Sequence, residues 1–403
     1  MSWALLLPSA RAAEPIERFD EQLIYAQESN HNWYARTDIE LGDLNGDGHA
    51  DLAVASWGVS WSATYVYLGS ADGLDLASET MWTVPGQLHW SVASPGDLDG
   101  DGFGELAVGQ GGRADDDPRG LLHIVPGSEV GPIWTEALPF VPEVEHETLS
   151  AFSASIAGAG DVNGDGLADL IVGDWEYTEG DVMPGAAYVY LGDPAGLSSA
   201  SESFLENPNG ADRDYFGTKV QGLGDLDADG YADIGVECLQ CNTVYLWAGS
   251  GDGIQGEYRA RIEPSDHSQW DYDGFGVSMT AGDLDGDGFD DIAAGAWQGL
   301  YTFSGGPDWE LQTTERKFFA DELSEDWDGT LVQVVGDLDR DGYEELVAGE
   351  TSWGSEEQLL PVRLYWGGED GLSLHSPYTE LVNENGLIGT ALGTLGKAAG
   401  DVD

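Results

Sequence analysis

The sequence predicts an all-β fold: a seven-bladed β-propeller of four-stranded antiparallel blades, with the seventh blade truncated at the C-terminus. Three observations carry this. An acidic loop recurs along the whole chain, the segments flanking it alternate with a period of two, and a third apolar strand follows each loop at a similar distance.

The loop comes in six near-copies: GDLNGDGHADLAV from Gly42, GDLDGDGFGELAVG from Gly96, GDVNGDGLADLIVG from Gly160, GDLDADGYADIGV from Gly224, GDLDGDGFDDIAAG from Gly282 and GDLDRDGYEELVAG from Gly336. A seventh begins at Gly400 and stops at Asp403. The leading Asp falls at 43, 97, 161, 225, 283, 337 and 401, a period of 54 to 64 residues. Ahead of the fifth copy, Phe275, Val277, Met279 and Ala281 alternate with Gly276, Ser278 and Thr280, and after it Ile292 and Ala294 continue the pattern. The loop therefore joins two strands. An EF-hand loop would need helical flanks and an acid at its twelfth position, and neither is present.

The third strand ends at Gly69, Gly127, Gly192, Gly249, Gly306 and Gly368, each time with room after it for a fourth. Four antiparallel strands repeated about an axis make a propeller. Small residues in the strand before each loop suit an innermost strand, where neighbouring backbones crowd together.

The loop chemistry follows from charge. Carboxylates at Asp283, Asp285, Asp287 and Asp291 raise one another's pKa unless a cation lies between them. Calcium takes six to eight oxygen ligands and tolerates irregular geometry. The fifth copy offers those four side chains, with Gly288 for the sharp turn and the backbone carbonyl of Phe289. The other loops offer Asp43, Asn45, Asp47, His49 and Asp51; Asp97, Asp99, Asp101, Phe103 and Glu105; Asp161, Asn163, Asp165, Leu167 and Asp169; Asp225, Asp227, Asp229, Tyr231 and Asp233; and Asp337, Asp339, Asp341, Tyr343 and Glu345. In each set the residue two before the last acid serves through its backbone carbonyl. Residues between the ligands, such as Gly286, Ala228 and Arg340, are expected to vary freely. About six Ca2+ ions are expected. Magnesium prefers strict octahedra with retained waters, and zinc wants Cys or His.

The chain of 403 residues carries a formal net charge of -61, which excludes nucleic acid and anionic membrane surfaces as partners. Six calcium ions would reduce that only to -49, so most of the acidity lies outside the loops. Residues 1–14 read as the remnant of a signal peptide, with a short apolar run and then Ala10-Arg11-Ala12 in the pattern of a cleavage site; residues 15–403 read as the propeller. No apolar stretch is long enough for a membrane helix, so no membrane insertion is expected. Cys238 and Cys241 are expected to form a local disulfide after export, two plain thiols being the alternative.

Phe216-Gly217 and Phe275-Gly276, the six acidic loops and Gly295-Ala296 resemble the FG-GAP or VCBS repeat, the unit of the propeller at the N-terminus of integrin α chains and of many secreted bacterial proteins. The resemblance runs from about residue 20 to Asp403. The chain departs from the pattern in putting Trp57, Trp175 and Trp297 at the third position of the Gly-Ala-Pro slot, and in lacking Phe-Gly in several blades. It also carries an acidic loop in all six complete units, where integrin α chains have one only in some. The seventh blade requires either further chain or an N-terminal segment such as Gln22 to Tyr34 to close the ring.

The resemblance implies that calcium loops line one face and that the loops after the second strands line an opposite, ligand-binding face. Trp57, Trp175 and Trp297 would emerge there to stack on sugars or anchor a protein, the alternative being that they wedge between blades. The expected product is a secreted or cell-surface, monomeric, calcium-binding module for adhesion or recognition of a protein or glycan ligand. The alternatives are an extracellular polysaccharide lyase or hydrolase and a rigid spacer of a larger surface protein. No HExxH or GxSxG motif is present, and no catalytic residue is assigned.

Overall fold

A computed structural model describes residues 39–381, apart from positions 58–61, 72, 84–87, 112–119, 141–150, 198–201, 265–273, 297–298, 308, 310, 312, 319–326, 353–361, 370 and 373–378. It contains six four-stranded sheets, each an antiparallel meander in chain order. The first holds β1 (Ile39–Gly42), β2 (Asp51–Trp57), β3 (Ser62–Leu68) and β4 (Asp75–Trp82). The second holds β5 (Leu88–Gly96), β6 (Glu105–Gly111), β7 (Leu121–Val125) and β8 (Leu138–Phe140). In the third are β9 (Ser155–Gly160), β10 (Asp169–Asp174), β11 (Ala186–Tyr190) and β12 (Glu202–Glu206). The fourth comprises β13 (Phe216–Gly222), β14 (Ile234–Cys238), β15 (Thr243–Trp247) and β16 (Ala260–Ile262). The fifth comprises β17 (Ser278–Gly282), β18 (Asp291–Ala296), β19 (Gly299–Phe303) and β20 (Thr313–Phe318). The sixth comprises β21 (Trp327–Gly336), β22 (Glu345–Ser352), β23 (Val362–Tyr365) and β24 (Thr379–Leu381).

Period-two alternation decides where the core sits. Every residue of β10 is buried, because the strand has a neighbouring sheet on each side. Ile171 points into a cluster shared with Phe216, Val236 and Trp247 of the fourth sheet. Leu170 and Val172 point the other way, into a cluster with Ala93, Ala107 and Leu122 of the second. Analogous clusters join the first sheet to the second, the fourth to the fifth and the fifth to the sixth. The core is thus a series of layers between stacked sheets, the arrangement of propeller blades.

The first strands of successive sheets lie side by side, β1 by β5, β5 by β9, β9 by β13, β13 by β17 and β17 by β21. Their small residues do more than permit approach. Ser155 Oγ accepts the Val220 N–H at 3.1 Å, and Ser278 Oγ and Thr280 Oγ1 accept the Val332 and Val334 N–H groups, each at 3.1 Å. These bonds cross from one blade to the next.

The Phe-Gly pair has a matching steric cause. Gly217 has φ +86° and packs its carbonyl against Gly173 of the preceding sheet, where an added Cβ would run into that oxygen. Gly173→Ala is therefore expected to destabilise the protein by about 2 to 3 kcal/mol. An unchanged denaturation midpoint would remove this account of the interface.

Three expected features at the two ends of the chain lie outside the described residues: the signal remnant at 1–14, the closing segment Gln22 to Tyr34, and the seventh loop at Gly400 to Asp403. The six described sheets do not themselves close a ring. Leu338 of the sixth loop is 42% exposed, whereas its counterparts Leu44, Leu98, Val162, Leu226 and Leu284 are at most 1% exposed. No helix among the described residues is long and apolar enough to cross a membrane. Cys238 and Cys241 form the expected disulfide.

Candidate metal centre

Each acidic loop connects the first strand of a sheet to the second, so all six emerge at the same end of the stack. Their internal hydrogen bonds repeat. The leading Asp accepts, through Oδ2, the N–H of the glycine five residues on: Gly48 at 2.8 Å, Gly102 at 2.9 Å, Gly166, Gly230 and Gly342 at 2.8 Å, and Gly288 at 3.0 Å. The fifth loop residue accepts, through Oδ1, the N–H two positions on, from His49, Phe103, Leu167, Tyr231, Phe289 and Tyr343, at 2.9 to 3.1 Å. Side chains of Asp and Asn here replace strand pairing as the acceptors for a tight turn.

The fourth loop residue always takes a left-handed backbone, φ +70° at Gly46, +76° at Gly100, +74° at Gly164 and Gly286, +56° at Ala228 and +62° at Arg340. This limits the expected freedom of that position. Its side chain varies, but its φ does not, and Ala228 and Arg340 bear a cost on the order of 1 kcal/mol for it.

The carboxylates converge. Oxygens of Asp97, Asp99 and Asp101 lie within 4.8 Å of one another, as do those of Asp225, Asp227 and Asp229, of Asp283, Asp285 and Asp287, and of Asp337, Asp339, Asp341 and Glu345. In the first and third loops the third residue is an amide: Asn45 and Asn163 donate to Asp47 and Asp165 at 3.0 and 2.8 Å. Burial first, and then neighbouring acids, push Asp99, Asp285 and Asp339 above the usual carboxylate range.

The ninth residue, expected to close the metal shell, is a buried clamp in the first, third and fourth loops. Asp51 accepts Leu44 N–H at 2.9 Å and Gly69 N–H at 2.7 Å; Asp169 accepts Val162 and Gly192 at 2.8 Å each; Asp233 accepts Leu226 at 2.8 Å and Gly249 at 2.9 Å. Each thus ties the start of its loop to the end of the third strand. Burial raises Asp51 and Asp169 to about 6, Asp233, Asp291 and Glu105 to about 7, and Glu345 to about 8, with the backbone N–H groups offsetting part of the effect. A carboxylate oxygen has two lone pairs, so a clamp can still face a cation.

Successive loops are also tied to each other. The backbone oxygens of Asp43, Asp97, Asp161, Asp225 and Asp283 accept N–H groups from Gly104, Ala168, Ala232, Asp290 and Glu344 of the next blade. One residue on, the oxygens of Leu44, Leu98, Val162, Leu226 and Leu284 accept from Ser128, Asp193, Ser250, Gly306 and Gly368. The loops therefore form a continuous belt, which period and composition do not disclose.

The donor set fits a hard divalent cation. It is all oxygen, anionic and preorganised by backbone bonds, and two of its oxygens, Asp227 Oδ1 and Glu345 Oε1, are buried without a hydrogen-bond partner.

At the opposite end, Trp175 is half-buried with its ring edge-on to Tyr215 of the next sheet, centroids 5.5 Å apart. Trp297 and the side chain of Trp57 lie outside the described residues. Among the described residues, two fully buried carboxylates escaped sequence reasoning. Asp174 and Glu237 are both 0% exposed. For Glu237 a signal was available: it occupies a strand position that Gly109, Gly173, Gly295 and Gly349 hold elsewhere.

Comparison with known proteins gives matches along the chain. The FG-GAP-like repeat matches residues 43–108, and the FG-GAP repeat matches residues 152–190 and 275–305. Integrin alpha-5 of Xenopus laevis is 27% identical over 239 residues, covering 56% of this chain and 22% of that protein. Integrin alpha-PS3 of Drosophila melanogaster is 34% identical over 144 residues, 34% of this chain and 13% of that protein. The chain thus spans less than a quarter of the length of these relatives. Among solved structures, an Agrocybe aegerita lectin that recognises non-reducing terminal N-acetylglucosamine superposes with a TM-score of 0.50 at 15% identity, covering 89% of this chain and 83% of that one. At that identity the likeness concerns the fold.

Proposed function

We propose that this chain, a carrier of FG-GAP repeats with integrin α relatives, is a secreted or cell-surface adhesion module. It binds a protein or glycan ligand on a seven-bladed propeller stiffened by about six calcium ions. The observation that carries this is the belt: six loops that share the hydrogen bonds accepted by their leading and fifth residues, linked blade to blade, four of them presenting converging carboxylates at one end.

Such a site suits structure rather than catalysis. The ions would be held by side chains already fixed by backbone bonds, and they would cancel repulsion that otherwise pushes the blades' ends apart. Asp97, Asp99, Asp101 and their counterparts would hold the cation, which supplies charge neutralisation when bound. That leaves the far end, where the second strands run out and Trp175 meets Tyr215, to carry recognition. The integrin likeness favours a protein ligand, and the lectin's recognition of a terminal sugar keeps a glycan in the test.

Titration of chelator-stripped protein with calcium chloride in a calorimeter is expected to show about six binding events. Calcium-loaded protein should then be retained on immobilised extracellular-matrix proteins or on a glycan array, and released by chelator. Absence of heat and of retained ion would sink the calcium reading. Retention unaffected by changes at the Trp175 end would move the ligand site elsewhere.

A further inference from the structure

One side chain reaches a metal-loop carboxylate from outside its own blade. Trp309, in the connection between β19 and β20 of the fifth sheet, donates its indole Nε1–H to Asp227 Oδ2 of the fourth loop at 2.6 Å. We propose that Trp309 is a positioning residue for the cation site of the fourth loop: it orients Asp227 from the neighbouring blade and couples occupancy of that site to the interface between the fourth and fifth sheets. This rests on the reading of the loops as cation sites.

Three observations support the assignment. The first is how Asp227 is held. In the first, second, third and fifth loops, the residue at this position accepts the N–H two residues on, with Asn45, Asp99, Asn163 and Asp285 bonded to Asp47, Asp101, Asp165 and Asp287 at 3.0 to 3.1 Å. In the first, third and fifth loops the same N–H also reaches the leading Asp, and in the fourth loop Asp229 N–H keeps only that bond, to Asp225 Oδ1 at 3.0 Å, as Asp341 keeps the one to Asp337 in the sixth. What distinguishes the Asp227 carboxylate is the indole bond from the next blade. Its other oxygen, Oδ1, is buried and without a partner, in a residue that belongs to the converging trio with Asp225 and Asp229.

The second is that the indole is itself fixed. Trp309 is 7% exposed and packs in a cluster with Leu226, the loop residue immediately before Asp227. Its N–H bonds Gly306 O at 3.3 Å, and Gly306 N–H bonds Leu226 O at 2.8 Å. The indole, its own turn and the loop it touches thus form one connected unit across the blade boundary.

The third is conformational. Trp309 has φ +55°, which a bulky residue rarely adopts unless its surroundings impose it. A donor to one oxygen of a ligating carboxylate fixes its rotamer and leaves the other oxygen for the ion. Loss of such outer partners typically lowers metal affinity about 10- to 100-fold.

The test uses the full chain, stripped by chelator and titrated with calcium, comparing wild type with Trp309→Phe, Trp309→His, Asp227→Asn and the Trp309→Phe/Asp227→Asn double variant. Trp309→Phe keeps most of the packing volume and removes the N–H. It is expected to weaken one class of site tenfold or more while leaving the other sites and the metal-free melt in place. Trp309→His, which retains a ring N–H, should recover part of the affinity, and the double variant should bind no worse than Asp227→Asn alone. Terbium serves as a second probe: emission sensitised by excitation of the indoles should drop in Trp309→Phe by the share that one nearby donor supplies. Equal calcium affinity in wild type and Trp309→Phe overturns the proposal while leaving the loops as cation sites. A metal-free melt lowered as much as the loaded one also overturns it, since the indole would then be packing alone. Failure of wild type to bind calcium or terbium overturns the loop reading and this proposal together.

Discussion

In excess chelator the melting temperature is expected to fall by roughly 10 °C or more relative to the calcium-loaded protein. At free calcium ten times the dissociation constant, each site contributes ~1.4 kcal/mol, and six independent sites about 8 kcal/mol, comparable to the stability of a whole domain. Removal of the ions also exposes a liability that the bound state hides. Asp283, Asp285 and Asp287 remain within 4.8 Å of one another, and Asp337, Asp339, Asp341 and Glu345 likewise, with backbone N–H groups such as those of Asp287 and Asp341 offsetting part of the repulsion. The belt makes the loss collective. A loop that opens in one blade releases the N–H groups of Gly104, Ala168, Ala232, Asp290 or Glu344 in the next. Melting followed by circular dichroism with and without chelator, and with magnesium added back, checks this. Superimposable melts would mean that the loops hold their shape without a cation and that the calcium assignment is wrong.

What the sequence disclosed and what it withheld divide along a physical line. The acidic loops were legible because a turn between strands needs glycine at Gly48 or Gly288 and because repelling carboxylates demand an explanation. The strands were legible because alternation such as Phe275, Val277, Met279 and Ala281 reports a two-sided sheet. Alternation says that Ile171 and Val172 face opposite ways; it does not say that Phe216 covers the first and Ala107 the second. The same gap hid the belt, since backbone bonds from Gly104 to Asp43 leave no mark on composition. It also hid the role of the ninth acid. Asp51 and Asp233 look like any other member of the acidic pattern, and only the approach of Gly69 and Gly249 from the third strand turns them into clamps. Trp309 lies 82 residues from Asp227, beyond the reach of any local rule.

The second large effect concerns carboxylates away from the loops. Between about pH 4 and pH 8, Asp174→Asn is expected to remove one proton's worth of the pH dependence of stability, and to stabilise the protein at pH 8 by on the order of 4 kcal/mol. Asp174 is fully buried at the end of β10, and neither side-chain oxygen has a hydrogen-bond partner of good geometry. Burial lifts it to about 8, the charge of Glu176 adds to this, and the nearby backbone N–H groups of Glu176 and Ala151 offset only part. The sign follows from proton counting. With its folded pKa above the unfolded one, Asp174 is protonated in the fold and ionised in the unfolded chain across that window. Stability is therefore greatest below the unfolded pKa, declines as pH rises, and levels off once the folded group also ionises. Asparagine has the same shape and no proton to lose, so the variant should match wild type near pH 4 and exceed it increasingly above. Glu237 gives a parallel case. It is fully buried, without a partner for either oxygen and raised well above the ordinary range by desolvation, with Lys219 as the one opposing charge, so Glu237→Gln should act in the same direction. Guanidinium midpoints in saturating calcium, which holds the loop carboxylates ionised throughout, isolate these two groups. A stabilisation by Asp174→Asn that is the same at pH 5 and pH 8 would show that Asp174 does not change protonation on folding.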